Sequence, residues 1–301
     1  MIIEKAIEEI GRIFLGKKHI IEYSLACLIS RGHLLLEDIP GVGKTTLALS
    51  IAKTLGLEFK RVQFTSDLMP SDITGSSVYE KNKGDFIFKR GPIFTNVFLA
   101  DEINRSSPKT QSALLEAMAE RQVTADGVTY KLPEPFFVIA TQNPLEQFGT
   151  FPLPESQKDR FTMRLHIGYP ERLIEKEILK GEDPLKKVKT INPILSREDI
   201  LLIIEKAEKC YISEEIIDYI LDIVQLSREH PSVLTGISTR GARHLLNVAK
   251  ALAYIRGRDF VIPDDVKELS IAVLSHRIIV KEEVSAEEVI KDIISSVKMP
   301  V

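Results

Sequence analysis

Residues 33–52 read HLLLEDIPGVGKTTLALSIA. An apolar run from Leu34 to Leu36 leads into DIPGVGKT at 38–45, and a helix-like series of Leu47, Ala48, Leu49, Ile51 and Ala52 follows. A loop in that place suits phosphate. Gly41 and Gly43 permit dihedrals that turn successive N–H groups inward, and the following helix directs its positive end at the same point. Lys44 adds a point charge for the β- and γ-phosphates, and the Thr45 hydroxyl is the expected Mg²⁺ ligand. The stretch predicts a nucleoside triphosphate site formed by Asp38, Pro40, Gly41, Val42, Gly43, Lys44, Thr45 and Thr46. One position departs from the generic GxxxxGK[ST] pattern: its first glycine is Asp38 here.

Downstream, Val97, Phe98, Leu99 and Ala100 form a short apolar run that ends in Asp101 and Glu102. This is the Walker B arrangement. Phosphoryl transfer to water needs one carboxylate for the Mg²⁺ shell and a base to orient the attacking water, and adjacent acids at a strand end can divide those tasks. Asp101 is the expected metal residue and Glu102 the expected catalytic base.

At 301 residues the chain exceeds the usual limit of one hydrophobic core, which predicts a larger domain with a smaller companion. Its 44% hydrophobic and 28% charged content is that of a soluble globular protein. A formal charge of -3, without a dense Lys/Arg stripe, leaves nucleic-acid binding unsupported. The opening MIIEKAIEEIGRIFLGKKHI carries charges throughout and lacks the form of a leader, and no apolar run approaches bilayer length. Cys27 and Cys210 have no ligand partners at metal spacing, and the histidines do not cluster. The expectation is a cytoplasmic protein without membrane insertion.

Strand-like and helix-like segments alternate through the first part of the chain, the signature of a mainly parallel sheet wrapped by helices. Strands are expected at 33–37, 59–64, 97–101, 136–141 and 163–167. Both motifs fall at carboxyl ends of strands, where such sheets bind ligands. Two hairpins interrupt the pattern, 78–88 turning near Asn82, Lys83 and Gly84, and 123–130 turning at Asp126-Gly127. After Tyr169-Pro170 the alternation stops. Helices are expected after Ser196 and Ser213, and Ser285 with Glu288 makes a capping-box pattern before another. The predicted division is a core at 1–180, a linker at 181–193 and a helical domain at 194–301.

Taken together, these motifs resemble those of the MoxR family of AAA+ ATPases, over nearly the whole chain. HLLLEDIPGVGKT is similar to the family's phosphate loop, including its acidic residue in place of the first glycine, and LADEINRSSPKTQSALLEAMAERQVT to its Walker B strand and next helix. FVIATQNPLEQFGTFPLPESQKDRF resembles its sensor 1 and arginine-finger region, and GISTRGARHLL its sensor 2 helix. Lys17 stands where the family has a glutamine near the adenine. The resemblance implies a P-loop αβα sandwich followed by an all-α lid, with ATP or ADP and Mg²⁺ bound between them.

Residue by residue, the resemblance makes Asn143 the sensor 1 residue that holds the attacking water, or else a turn residue before Pro144. It makes Arg160 the finger that acts on the neighbouring subunit's nucleotide, since a planar, always-charged fork suits the transferring phosphoryl. A structural ion pair with Asp159 or Glu155 is the other reading of Arg160. Arg240 becomes the sensor 2 arginine, reaching the γ-phosphate of its own subunit. A cap at Ser238 or Thr239 would put it near a helix start, where the dipole disfavours a cation unless an anion binds.

The resemblance further implies a homo-oligomeric, hexameric ring. The hairpins become a helix-2 insert and a pre-sensor-1 insert, facing the pore or partners, and hydrolysis drives chaperone-like maturation or metal insertion with a von Willebrand factor A-type partner. The competing readings are a slowly hydrolysing nucleotide-dependent switch or scaffold, and a nucleic-acid motor.

Overall fold

The computed structural model describes residues 2–82, 84–145, 149–281 and 283–300. Lys83, in the first expected hairpin turn, and Glu146, Gln147 and Phe148, in the sensor 1 stretch, lie outside them. The chain opens with α1 (Ile2–Gly11) and α2 (Lys18–Ile29), then runs β1 (Leu34–Glu37), α3 (Lys44–Thr54), β2 (Phe59–Gln63) and α4 (Pro70–Thr74). A hairpin, β3 (Gly75–Glu80) and β4 (Asp85–Arg90), precedes β5 (Val97–Asp101) and α5 (Pro108–Glu120). The second hairpin, β6 (Gln122–Ala125) and β7 (Val128–Lys131), leads to β8 (Phe137–Gln142), α6 (Glu155–Lys158) and β9 (Met163–Leu165).

Strands β1, β2, β5, β8 and β9 form one parallel sheet in the order β2-β5-β8-β1-β9. Its central strands read as almost unbroken apolar runs because both faces are covered. Alternation along each strand then sorts the side chains. Leu34, Leu36, Val97, Leu99, Phe137 and Ile139 join one cluster with α1, α2 and α3, whereas Leu35, Phe98, Ala100, Val138 and Ala140 join the other with α5.

After the sheet come α7 (Arg172–Lys180), α8 (Pro184–Val188), α9 (Arg197–Glu208), α10 (Glu214–Glu229), the short strand β10 (Val233–Thr235), α11 (Thr239–Ile255), α12 (Pro263–Leu274), β11 (Ile279–Val280) and α13 (Ala286–Ser296). The stretch read as a linker thus contains a helix, α8, whose Val188 is fully buried and packs with Ile13, Ile191 and Leu49. The helical part shares the first cluster of the sheet. In α11, Leu245, Val248 and Leu252 are fully buried in it, and each such burial contributes about 1.5–3 kcal/mol.

Helix starts follow the expected serines, though neither Ser213 nor Ser285 caps with its side chain. Ser196 and Asp199 form a reciprocal capping box, whereas Ser285 occupies the cap position of α13 without a side-chain cap bond. Its Glu288 therefore completes no box. Among the described residues no helix is long and apolar enough to cross a membrane.

Candidate functional site

Sheet register brings the motif ends together. Glu37 at the end of β1 pairs with Gln142, Ala100 pairs with Ala140, and Gln63 pairs with Asp101. The phosphate loop, both acids and Asn143 therefore share one edge of the sheet. Gly41 and Gly43 hold φ of 88° and 93°, in the left-handed region that favours glycine. A Cβ on Gly43 would also lie 3.2 Å from the Phe14 ring. Gly43 caps α3 without a side-chain cap bond, and the positive end of that helix lies at the loop.

Asp38 behaves differently from the loop's glycines. Its carboxylate accepts the N–H groups of Ile167 and, at 3.0 Å, Gly168, tying the loop's start to the segment after β9. Its carbonyl accepts from the Lys44 ammonium at 2.6 Å. Beside the loop a cleft of about 300 Å³ is lined by Phe14, Lys17, Val42, Thr46, Ile167 and Pro170, among others. An apolar wall next to a phosphate cradle suits a flat base, and Lys17 stands in it.

The acids sit in a web of partners that sequence reasoning did not find. Asp101 is 9% exposed; its Oδ2 accepts from the Arg61 guanidinium at 2.7 and 3.0 Å and its Oδ1 from Thr141 Oγ1 at 2.5 Å. Glu102 adopts φ 56° and ψ 53°, a left-handed conformation that non-glycine residues rarely hold. Its Oε2 accepts from Gln63 Nε2 at 2.6 Å and Arg105 Nη1 at 3.0 Å, while its N–H donates to Thr141. The available signal was the alternation of Arg61 and Gln63 along β2, which becomes meaningful only once β2 is known to neighbour β5. Asn143 is 6% exposed, and its Oδ1 accepts the Leu145 N–H at 3.1 Å, so it shapes the turn as well as facing this edge.

A hydroxyl from Thr45 and a carboxylate from Asp101 are hard oxygen donors that fit Mg²⁺, which takes few protein ligands and completes its shell with water and phosphate. Among the described residues no group of three or more His, Cys, Asp or Glu residues is placed to hold a metal ion.

The two arginines lie elsewhere. Arg160 is exposed, and its Nη1 donates to the Leu115 carbonyl at 2.9 Å. It does not pair with Asp159 or Glu155, which hold Arg240 and Lys158 instead. Arg240, in the first turn of α11 after the Ser238 cap, lies 3.5 Å from Asp159. Together with Arg160 it lines a cleft of about 340 Å³ that includes Arg31, Arg121 and His244. No phosphate-loop residue lines that cleft. Helix α11 packs against α2 and α12, and the Arg240–Asp159 contact puts its first turn beside the segment that carries Arg160.

The chain is similar to several known proteins. Residues 33–163 match the model of the ATPase family associated with various cellular activities, and residues 225–296 match that of an AAA lid domain. YeaC of Bacillus subtilis is 47% identical, over 99% of this chain and 94% of its own length. Chaperone MoxR1 of Mycobacterium tuberculosis is 40% identical, over 99% of this chain and 82% of its own length. The crystal structure of a candidate ATPase from Cytophaga hutchinsonii superposes with a TM-score of 0.90 at 41% identity, covering 100% of this chain and 95% of that one.

Proposed function

The chain belongs to the MoxR family of AAA+ ATPases and hydrolyses ATP, and from that premise we propose that its catalytic sites are shared between neighbouring copies in a ring. One copy supplies the nucleotide cradle and the next supplies Arg160 and Arg240. The observation that carries this reading is the common cleft of the two arginines, apart from the phosphate loop of their own chain.

Within the cradle, the N–H groups around Gly41 and Gly43 hold phosphate oxygens, and Lys44 exchanges the Asp38 carbonyl for the β- and γ-phosphates. Thr45 and Asp101 would hold Mg²⁺, which supplies charge neutralisation when bound. For Asp101 to serve, its contact with Arg61 must loosen, and for Glu102 to accept a water proton it must leave Gln63 and Arg105. Those contacts define a resting arrangement of the acids. Asn143 orients the water, and the arginines of the neighbour stabilise charge on the transferring phosphoryl.

The work done by hydrolysis is remodelling or maturation of protein partners, metal insertion included, and a von Willebrand factor A-type protein is the proposed partner. The similarity to a protein named as a chaperone supports this. The hairpins supply a partner-facing surface: Phe86 and Tyr79 are 67% and 53% exposed, while Phe88 and Tyr130 stack at 4.3 Å and join one hairpin to the other. To test the shared site, ATP turnover per chain is measured across the dilution range in which light scattering reports dissociation. Turnover per chain should fall as assemblies dissociate; a constant value through dissociation refutes the shared site.

A further inference from the structure

Arg277, just after α12, is a cation removed from water: its side chain is 1% exposed, and burial pushes its pKa down to about 10. A buried charge persists only where dipoles and counter-charges replace hydration. The partners it has gathered are concentrated on one segment. Its Nη2 donates to the carbonyls of Phe161 at 2.6 Å and Asp159 at 3.4 Å, and its Nη1 to that of Thr162 at 3.3 Å. Its Nε lies 3.0 Å from Asp159 Oδ1, a charge contact not aligned as a hydrogen bond. On its own side, Nη1 reaches Val273 O and His276 Nε2. The segment 159–162 lies between α6 and β9, outside regular structure, and Arg160 is in its middle.

The same hub reaches the second arginine. Asp159 presents Oδ1 to Arg277 and Oδ2 to Arg240, at 3.5 Å. The residue after Arg240 is Gly241, and a Cβ there would lie 2.9 Å from Arg277 Cδ and 2.8 Å from Ile237 Cγ2. Room for the Arg277 side chain under the first turn of α11 thus depends on glycine at that position.

We propose that Arg277 is a positioning residue for the neighbour's site: it touches no nucleotide, but fixes the backbone that carries Arg160 and, through Asp159, the side chain of Arg240. Because it belongs to the helical part of the chain and its partners at 159–162 belong to the sheet part, a shift of one against the other disturbs the seat of both arginines. This inference rests on Arg160 serving a neighbouring copy.

Two variants test it. Arg277→Lys keeps the charge and loses the fork that reaches several carbonyls at once. Gly241→Ala keeps arginine at position 277 but adds a helix-favouring methyl that displaces its side chain. Each should bind ATP at wild-type affinity and turn it over roughly ten- to a hundredfold more slowly, the usual effect of small misplacement of a catalytic group. Each should regain activity on mixing with Glu102→Gln, which contributes an intact finger, and should stay slow on mixing with Arg160→Ala, which does not.

A merely structural role would not give that pattern of rescue. The control is Arg160→Ala mixed with Glu102→Gln. If the control stays inactive although labelled chains exchange, the neighbour reading falls and this inference with it. If the control recovers while both variants turn over normally, or stay slow with Glu102→Gln, the assignment of Arg277 alone is overturned. Should Arg277→Lys not fold, Gly241→Ala decides; if neither folds, Arg277 maintains the fold and not the finger, and the assignment is likewise overturned.

Discussion

Asp38→Ala should destabilise the fold before it alters any phosphate contact. The wild-type carboxylate accepts N–H groups from Ile167 and Gly168, is 7% exposed, and has Ile167 at 4% exposure beside it, so water cannot replace it freely. A hydrogen bond to a charged group contributes about 1.5–3 kcal/mol, and losing both removes about 3–6 kcal/mol, the lower figure applying if water reaches the half-buried Gly168. Asp38→Asn retains one acceptor oxygen and should lose about half as much. Urea unfolding gives the stability, and a fluorescent ATP analogue gives the affinity, which should also weaken because the loop's start comes untied. An Asp38→Ala chain that unfolds at the wild-type urea midpoint yet loses nucleotide would refute this reasoning. It would return the carboxylate to the phosphates.

Glu102→Gln should bind ATP as wild type does but turn it over about a hundredfold more slowly or worse, because the base is lost and the shape kept. Lys44→Ala should weaken binding itself; equal losses of affinity in both, measured by analogue titration, would remove Glu102 from the role of base. Acid should also destabilise the fold through His33. Burial lowers its pKa from 6.5 to about 3, and the Val138 N–H donated to Nδ1 at 3.0 Å leaves Nε2–H for the Met118 carbonyl. The unfolded chain takes up a proton below its ordinary pKa while the folded chain takes it up only near the lowered one, so stability is lost as pH falls through that window. The loss from His33 reaches about 2 kcal/mol near pH 5. Urea midpoints across this range should show a shallower pH slope in His33→Gln; an unchanged slope contradicts the assignment.

The sheet was legible because its signals are local. Strands expected at 97–101 and 59–64 appear as Val97–Asp101 and Phe59–Gln63, and the glycines of the loop hold the positive φ that their lack of a Cβ allows. The hairpin expected at 78–88 extends further on both sides, from Gly75 to Arg90, because pairing continues through polar residues that carry no alternating pattern. What escaped the sequence depends on pairs far apart in the chain. The carbonyls of 159–162 that accept from Arg277 lie more than a hundred residues upstream of it, and the direction of the Asp38 carboxylate depends on where β9 ends. The approach of Arg240 to Asp159 at 3.5 Å likewise joins distant segments, which no motif encodes. A serine three residues before a glutamate marked the start of α13 correctly, but did not form the bonds of a capping box.

If Arg160 and Arg240 of one chain both serve the nucleotide of the next, mixing Arg160→Ala with Arg240→Ala will reveal it. Each variant should be nearly inactive alone, and each should recover with Glu102→Gln, which also demonstrates that subunits exchange. Mixed with one another they should remain inactive, because every interface then lacks one arginine or the other. If Arg240 instead served its own chain, an Arg160→Ala cradle beside an Arg240→Ala neighbour would be complete. Recovery of ATP turnover in that mixture would contradict the account.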